Sequence, residues 1–335
     1  MSNIAKKKLL SFIFKKALPF VGLAIFVYLI VAIGIGKVAS TFLLISPIYV
    51  IIVAILTLPR MFIRNVAWQS ILKQQKMNLS FSSSLKILLI GYFYATLTPG
   101  YIGHLMRIPY LKEKLNEPFG KLFVNTFIEV IVRTISIYGL ILLGSLMIIS
   151  YEPIIFYVSL LFIIVILAIY WFFTKENRGK RFFFIIVRCM VPKRHTSTAT
   201  WVVNSFYKDF PKIKTLFYPF VLGVLTWIII FSQIYIIALS LGINVPYHLF
   251  LVVYPIANVI SFIPITSSGF GTREAAVVFL LGLLNVPSEK ALVLSLVGFI
   301  ITDFLTGLYG FTLALSEMRN KKIKNARDEL KKLVY

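Results

Sequence analysis

Six stretches of this chain are long and apolar enough to cross a lipid bilayer, and no other feature constrains the fold as strongly. They are Pro19–Gly36, Phe42–Leu58, Leu122–Ile149, Ile154–Phe173, Leu216–Leu241 and Ala291–Leu315. A helical span takes about 20 apolar residues, since each adds about 1.5 Å against roughly 30 Å of hydrocarbon. Lipid offers backbone groups no partner, so a segment that crosses it must satisfy its own N–H and C=O groups as a helix. Composition agrees: 59% of the 335 residues are hydrophobic, 14% are charged and the mean hydropathy is +0.89. A soluble domain keeps about a quarter of its residues charged. The expected fold class is therefore an all-α polytopic integral membrane protein.

Two further apolar stretches are interrupted. One runs from Leu85 to about Tyr110 and carries Pro99-Gly100 in its middle; the other, Leu249–Leu284, contains PITSSGFGTRE at 264–274. Charge distribution says how they cross. The chain has 35 Lys and Arg against 12 Asp and Glu, a net charge of +23, and basic residues collect in cytoplasmic loops beside anionic headgroups. That accounts for the charge without nucleic acid, for which no recognition fold has room outside the spans. Clusters lie before the first span (Lys6–Lys8, Lys15, Lys16) and after the second (Arg60, Arg64, Lys73, Lys76). Others are Lys112, Lys114 and Lys121, the long loop 174–215, and the tail 319–335. All face one side only if each interrupted stretch enters and leaves by the same face, the first from the cytoplasm and the second from outside. The reading is thus six spans and two inverted re-entrant hairpins in a single domain, with halves of approximately 1–150 and 151–318 and both termini cytoplasmic. Eight plain spans are the alternative. The basic N-terminus lacks a small-residue cleavage site and is read as an uncleaved first span at the plasma membrane.

The hairpin tips can be superimposed as sequences: Thr98-Pro99-Gly100-Tyr101-Ile102-Gly103 on Thr266-Ser267-Ser268-Gly269-Phe270-Gly271, with Arg107 and Arg273 following. Breaking a helix frees N–H and C=O groups that cost several kcal/mol each if they face lipid. Such breaks persist where protein or a polar cavity surrounds them, as in transporters built from inverted repeats. A half-helix N-terminus offers N–H donors to an anion. The helix restarting at Gly271-Thr272, with Arg273, reads as a site for an anionic group within the membrane, and the first tip adds His104 and Arg107.

The stretches Leu97–Arg107 and Pro264–Glu274 resemble the two signature motifs of a known membrane family, the transmembrane (flippase-like) region of lysylphosphatidylglycerol synthases. The GFGxRE element is the most specific part, and the likeness extends over nearly the whole chain in span pattern and motif order. Departures are His104 where the first motif usually has an acidic residue, and Ser267-Ser268-Gly269 where the second usually reads Pro-Gly-Gly. The following helix usually carries Glu-Arg with an Asp a turn later, and here has Glu129 and Arg133. The resemblance implies movement of a lipid, or a lipid-linked headgroup, between leaflets. The complete synthases add a soluble aminoacyl-transfer domain that no segment here could form, so synthase activity is not expected.

The remaining charges lie inside apolar stretches, where each costs about 2.5–3.5 kcal/mol and marks a pathway or a mutual pair. Glu129 and Arg133 are four apart and share a helix face, which suits an ion pair. Arg273 and Glu274 are adjacent, so each is expected to need its own partner or cavity. Asp303 has no basic residue nearby in sequence and is expected to pair with Arg273 or Arg133, or to take up a proton. His104 and Arg107 either snorkel to headgroups or bind substrate. A helix lying on the membrane is expected at 182–187. The single Cys189 excludes an intramolecular disulfide or a cysteine cluster, and three scattered His suit no metal. No HExxH or GxSxG element occurs, so neither enzyme activity nor a cofactor is expected. The expected partners are membrane lipids with an anionic phosphate headgroup. A separate lipid-modifying enzyme or lipid-linked glycosyl transferase, to which the chain would be membrane subunit or scaffold, and a second copy of the chain are the other partners to weigh.

Overall fold

The structure is a computed structural model that describes residues 18–146, 149–150, 153–174, 204, 211–262, 266 and 268–318. The helix expected at 182–187, Cys189, Ser267 and the tail at 319–335 lie outside the described residues. Twelve α-helices are described. In the first part of the chain they are α1 (Leu18–Ile33), α2 (Ile35–Leu43), α3 (Pro47–Gln74), α4 (Phe81–Thr96), α5 (Ile108–Leu115) and α6 (Phe119–Leu146). The rest are α7 (Pro153–Thr174), α8 (Phe217–Ser240), α9 (Tyr247–Ile260), α10 (Thr272–Gly282), α11 (Ser288–Phe299) and α12 (Leu305–Met318). No strand occurs among the described residues. The all-helical membrane architecture is as the apolar stretches require.

Among the described residues four helices are long and apolar enough to cross a membrane: Pro47–Gln74, Phe119–Leu146, Lys214–Ser240 and Ser288–Met318. The last joins α11 to α12 through a π-helical turn at Ile300–Phe304. The expected first span is a bent pair, α1 and α2 diverging by 87°. The bend falls on Gly34, whose φ of 102° is open to glycine. The expected second span also differs: α3 starts later and runs through Pro59 for 28 residues. Proline marks a helix end only where tertiary packing does not hold the next turn. Beyond it Arg64, Asn65, Trp68, Ile71, Leu72 and Gln75 are buried at helical spacing. Arg60 and Arg64 are therefore buried helix residues and not charges of a cytoplasmic loop.

Contacts divide the chain into two compact units. The first comprises Met1–Arg60, Tyr92–Gly103 and Ile228–Tyr309. In it α10 packs on α9, α11 and α1, and α11 packs on α2. Aromatic rings tie α8 to α9: Tyr235 lies 5.2 Å from Phe250, which stacks on Tyr254 at 5.1 Å. The second comprises Met61–Gly91, His104–Trp227 and Gly310–Tyr335. There α6 packs on α5 and α7, and Ile71, Val124, Ile128 and Val132 form an apolar cluster against Leu216 and Phe220. Trp68 Nε1 donates to Asn125 Oδ1 at 2.8 Å, and Asn125 Nδ2 donates to Gln75 Oε1 at 2.7 Å. This chain of bonds satisfies polar groups that α3 and α6 bury.

In the first unit α1 meets the segment before α10 backbone to backbone. A Cβ on Gly271 would lie 2.0 Å from the Gly22 carbonyl oxygen, and Gly271 already has φ of +82°. Both costs fall on one substitution, at about 1–3 kcal/mol for the backbone strain alone. Gly271→Ala is expected to lower the melting temperature in detergent by several degrees. Gly36→Ala, in open space within α2, is expected to leave it unchanged or raise it slightly. Equal melting of the two variants would contradict the close approach.

Candidate functional site

The two interrupted helices turn in the same way. After α4, the Tyr101 N–H donates to the Thr98 carbonyl at 3.3 Å; before α10, the Gly269 N–H donates to the Thr266 carbonyl at 3.4 Å. Gly100 and Tyr101 have φ of 61° and 57°, and Ser268 and Gly269 have 50° and 72°. These are equivalent positions when Thr98–Gly103 is laid on Thr266–Gly271. A left-handed third residue is what a type II turn demands, and Pro99-Gly100 is its usual sequence. The second tip closes with the equivalent hydrogen bond and has Ser268 in the left-handed region.

The two tips meet in the first unit. Ser268 Oγ donates to the Thr96 carbonyl at 2.6 Å, a group that the end of α4 leaves open. The Tyr101 ring stands edge-on to Phe262, 5.7 Å away. Within the first tip Thr98 Oγ1 accepts from the Gly103 N–H at 2.7 Å. Gly103 lets the chain pass the Tyr94 carbonyl, which a Cβ would approach to 2.0 Å. The Gly103 N–H is thus satisfied by the tip's own Thr98, and the Thr96 carbonyl at the end of α4 by the other tip.

The N-terminus of α10 is occupied by a side chain of its own. Glu274 Oε2 accepts from the Gly271 N–H at 2.5 Å, and Oε1 accepts from Ser295 Oγ at 3.2 Å and from the Arg273 guanidinium. The expectation that Arg273 and Glu274 need separate partners is corrected. Glu274, the third residue of the helix, folds back on the turn and brings its carboxylate beside Arg273. The guanidinium also lies over the Phe299 ring, 4.4 Å from its centroid.

In the second unit Glu129 forms ion pairs with two arginines outside its own helix. Its Oε1 is 3.3 Å from Arg64 Nη2 and its Oε2 is 2.6 Å from Arg107 Nη2. Arg133 Nη2 lies 3.3 Å from His104 Nε2, and its guanidinium is 5.7 Å from the Trp227 ring. His104 and Arg107 are 1% and 0% exposed, which excludes snorkelling. Gly91 clears the path of Arg107, since a Cβ there would meet Arg107 Cγ at 2.3 Å. The Arg107 guanidinium sits over Trp68, 4.8 Å from the ring. Arg64 and Trp68 do not stand out in the sequence because they lie beyond the apolar run that ends at Leu58. Their spacing of four, together with Arg60, was the available signal.

Asp303, on the π turn, accepts from Tyr92 Oη at 3.0 Å and Thr302 Oγ1 at 2.7 Å, so hydroxyls take the place of the expected arginine. The turn itself is held by Arg60, whose Nη2 donates to the Thr302 carbonyl at 2.6 Å and to Thr306 Oγ1 at 3.1 Å. Among the described residues no three His, Cys, Asp or Glu come together as metal ligands.

Several spanning helices, two interrupted helices with matching turns and buried arginine–carboxylate contacts define a polytopic membrane protein with a polar interior. The chain belongs to the family of the lysylphosphatidylglycerol synthase TM region, whose model matches residues 20–310. It is also similar to the UPF0104 membrane protein MJ1595 of Methanocaldococcus jannaschii. The two are 23% identical over 296 residues, covering 83% of this chain and 88% of that protein.

Removing Glu129 strands buried guanidiniums, which costs about 3–5 kcal/mol when a buried pair is broken. Glu129→Gln is expected to melt well below wild type in detergent. The double variant E129Q/R107Q is expected to recover part of the loss, because one stranded cation goes with it. Melting of the double variant at the sum of the two single losses would show that the pair is not coupled.

Proposed function

We propose that this protein is a lipid translocator, moving a phospholipid or lipid-linked headgroup between leaflets while the acyl chains stay in lipid. The observation that carries the reading is the meeting of two interrupted helices with the same turn, each followed by a buried arginine. Polar backbone at membrane depth is stable around a headgroup path and is otherwise a cost. Membership of the lysylphosphatidylglycerol synthase TM family supports a lipid substrate. On this reading Leu85–Tyr110 and Leu249–Leu284 are re-entrant hairpins of inverted halves, the protein sits in the plasma membrane and both termini are cytoplasmic. The chain binds and moves lipid without chemical turnover, and a separate lipid-modifying enzyme supplies or consumes that lipid.

Two measurements test this. Single cysteines on a Cys189→Ser background, at the exposed Asn78, Asn116, Asn244 and Asn285, report the topology. Re-entrant hairpins place the first two inside and the last two outside, whereas plain crossings separate the members of each pair. Proteoliposomes with headgroup-labelled anionic, zwitterionic and aminoacylated lipids report the activity. Wild type is expected to move one headgroup class faster than empty vesicles, and Arg273→Ala, which leaves Glu274 buried without its arginine, to lose at least 90% of the excess rate, about 1.4 kcal/mol of barrier. Rates equal to those of empty vesicles for every lipid would end the translocator reading.

A further inference from the structure

The charges of the second unit are shared unequally. Glu129 has two carboxylate oxygens, and each is taken by a different guanidinium, that of Arg64 or of Arg107. Arg107 is fully buried, and its Nη1 has no hydrogen-bond partner among the described residues. Beside this pair lies a small cavity of about 20 Å³ whose charged lining residues are Arg64, Glu129 and Arg133, with Trp68, Gly223 and Thr226 among the others. That is room for about one water.

We infer that the cluster of Arg64, Arg107 and Arg133 is a phosphate-binding site, closed in this conformation by Glu129, whose carboxylate occupies the place of the phosphate. Planar guanidiniums match tetrahedral phosphate oxygens two at a time, and more than one guanidinium converges here on a single anionic group. An arriving phosphate takes over Arg64 and Arg107 as Glu129 releases them. Trp68, under the Arg107 plane, keeps that guanidinium in place during the exchange. Arg273 is less suited to this, because Glu274 holds both its Nε and its Nη2. The inference deepens the translocator reading and rests on it for one point, that the phosphate arrives on a lipid. Inorganic phosphate has the same chemistry, so the test separates the two sources.

The test is the thermal stability of the full-length protein in a neutral detergent, titrated with inorganic phosphate, dihexanoyl phosphatidic acid or dihexanoyl phosphatidylglycerol. Sodium chloride at matched ionic strength and dihexanoylglycerol are the phosphate-free controls. Phosphate-bearing probes are expected to raise the melting temperature while the controls do not. Loss of one charge-assisted contact in Arg107→Gln is expected to raise the half-saturating concentration roughly tenfold. Glu129→Gln removes the internal competitor and is expected to lower that concentration and to regain melting temperature in phosphate, which a merely structural ion pair would not do. If Glu129→Gln does not accumulate, Arg133→Gln takes its place, with a weakened shift expected. A stronger effect of the short-chain lipids supports a lipid phosphate, and a stronger effect of inorganic phosphate supports a free one. No shift with any phosphate, or the same shift in Arg107→Gln, overturns the site. Binding that follows this pattern without lipid movement in vesicles would keep the site and remove the translocator.

Discussion

Backbone polar groups freed within a membrane-embedded chain must be satisfied by the protein itself, and the arrangement of this molecule follows from where those groups lie. The turn before α10 is bonded across to the end of α4 through Ser268, and the Gly271 N–H just ahead of α10 is taken by Glu274. In the π turn between α11 and α12 the Thr302 carbonyl accepts from Arg60. In each case a polar side chain inside the protein does what water does at the end of a soluble helix. That is why serine, glutamate and arginine occur where the surrounding sequence is apolar. It is also why glycines recur beside the tips: only a residue without Cβ lets one backbone reach another, as Gly271 reaches Gly22.

The two arginines that follow the tips are treated alike although their local folds differ. Arg107 leaves a 3-10 turn and Arg273 opens a helix. Each is bonded to a carboxylate, Glu129 or Glu274, and each lies over an aromatic ring, Trp68 or Phe299. A guanidinium cannot shed its proton inside a protein, so a buried arginine needs a counter-charge and benefits from the negative face of a ring. The acid comes from a different helix in one case and from the next residue in the other. Sequence spacing therefore had no means of naming the partners.

The spans were legible because length and hydropathy are properties of a segment by itself. α6, α8 and the α11–α12 span fall where the apolar runs lie, and the matching tips were legible because glycine and proline mark turns locally. The bend at Gly34 and the extension of α3 past Pro59 were not, since both depend on what packs against them. The same limit explains the charges. Arg60 and Arg64 follow an apolar run and so resemble loop residues, until burial shows that the helix continues. Glu274 was read as a charge needing a partner of its own, because nothing in the spacing says that a third-position glutamate will fold back onto the turn.

Buried ion pairs are poor stabilisers. Well-packed apolar residues in their place are often neutral or stabilising, while the loss of one partner is costly. Packing alone therefore gives no reason for Arg64, Arg107, Arg133 and Glu129 to share one apolar region, where insertion already costs about 2.5–3.5 kcal/mol for each charge. The region is not short of apolar alternatives, since Ile71, Ile128 and Val132 lie on the same helices. What a carboxylate among arginines adds is exchangeability: its bonds can be handed to another anion of similar geometry without exposing a cation to lipid. A site meant to take up and release a phosphate needs its guanidiniums held in position and compensated when empty, and Glu129 meets both needs.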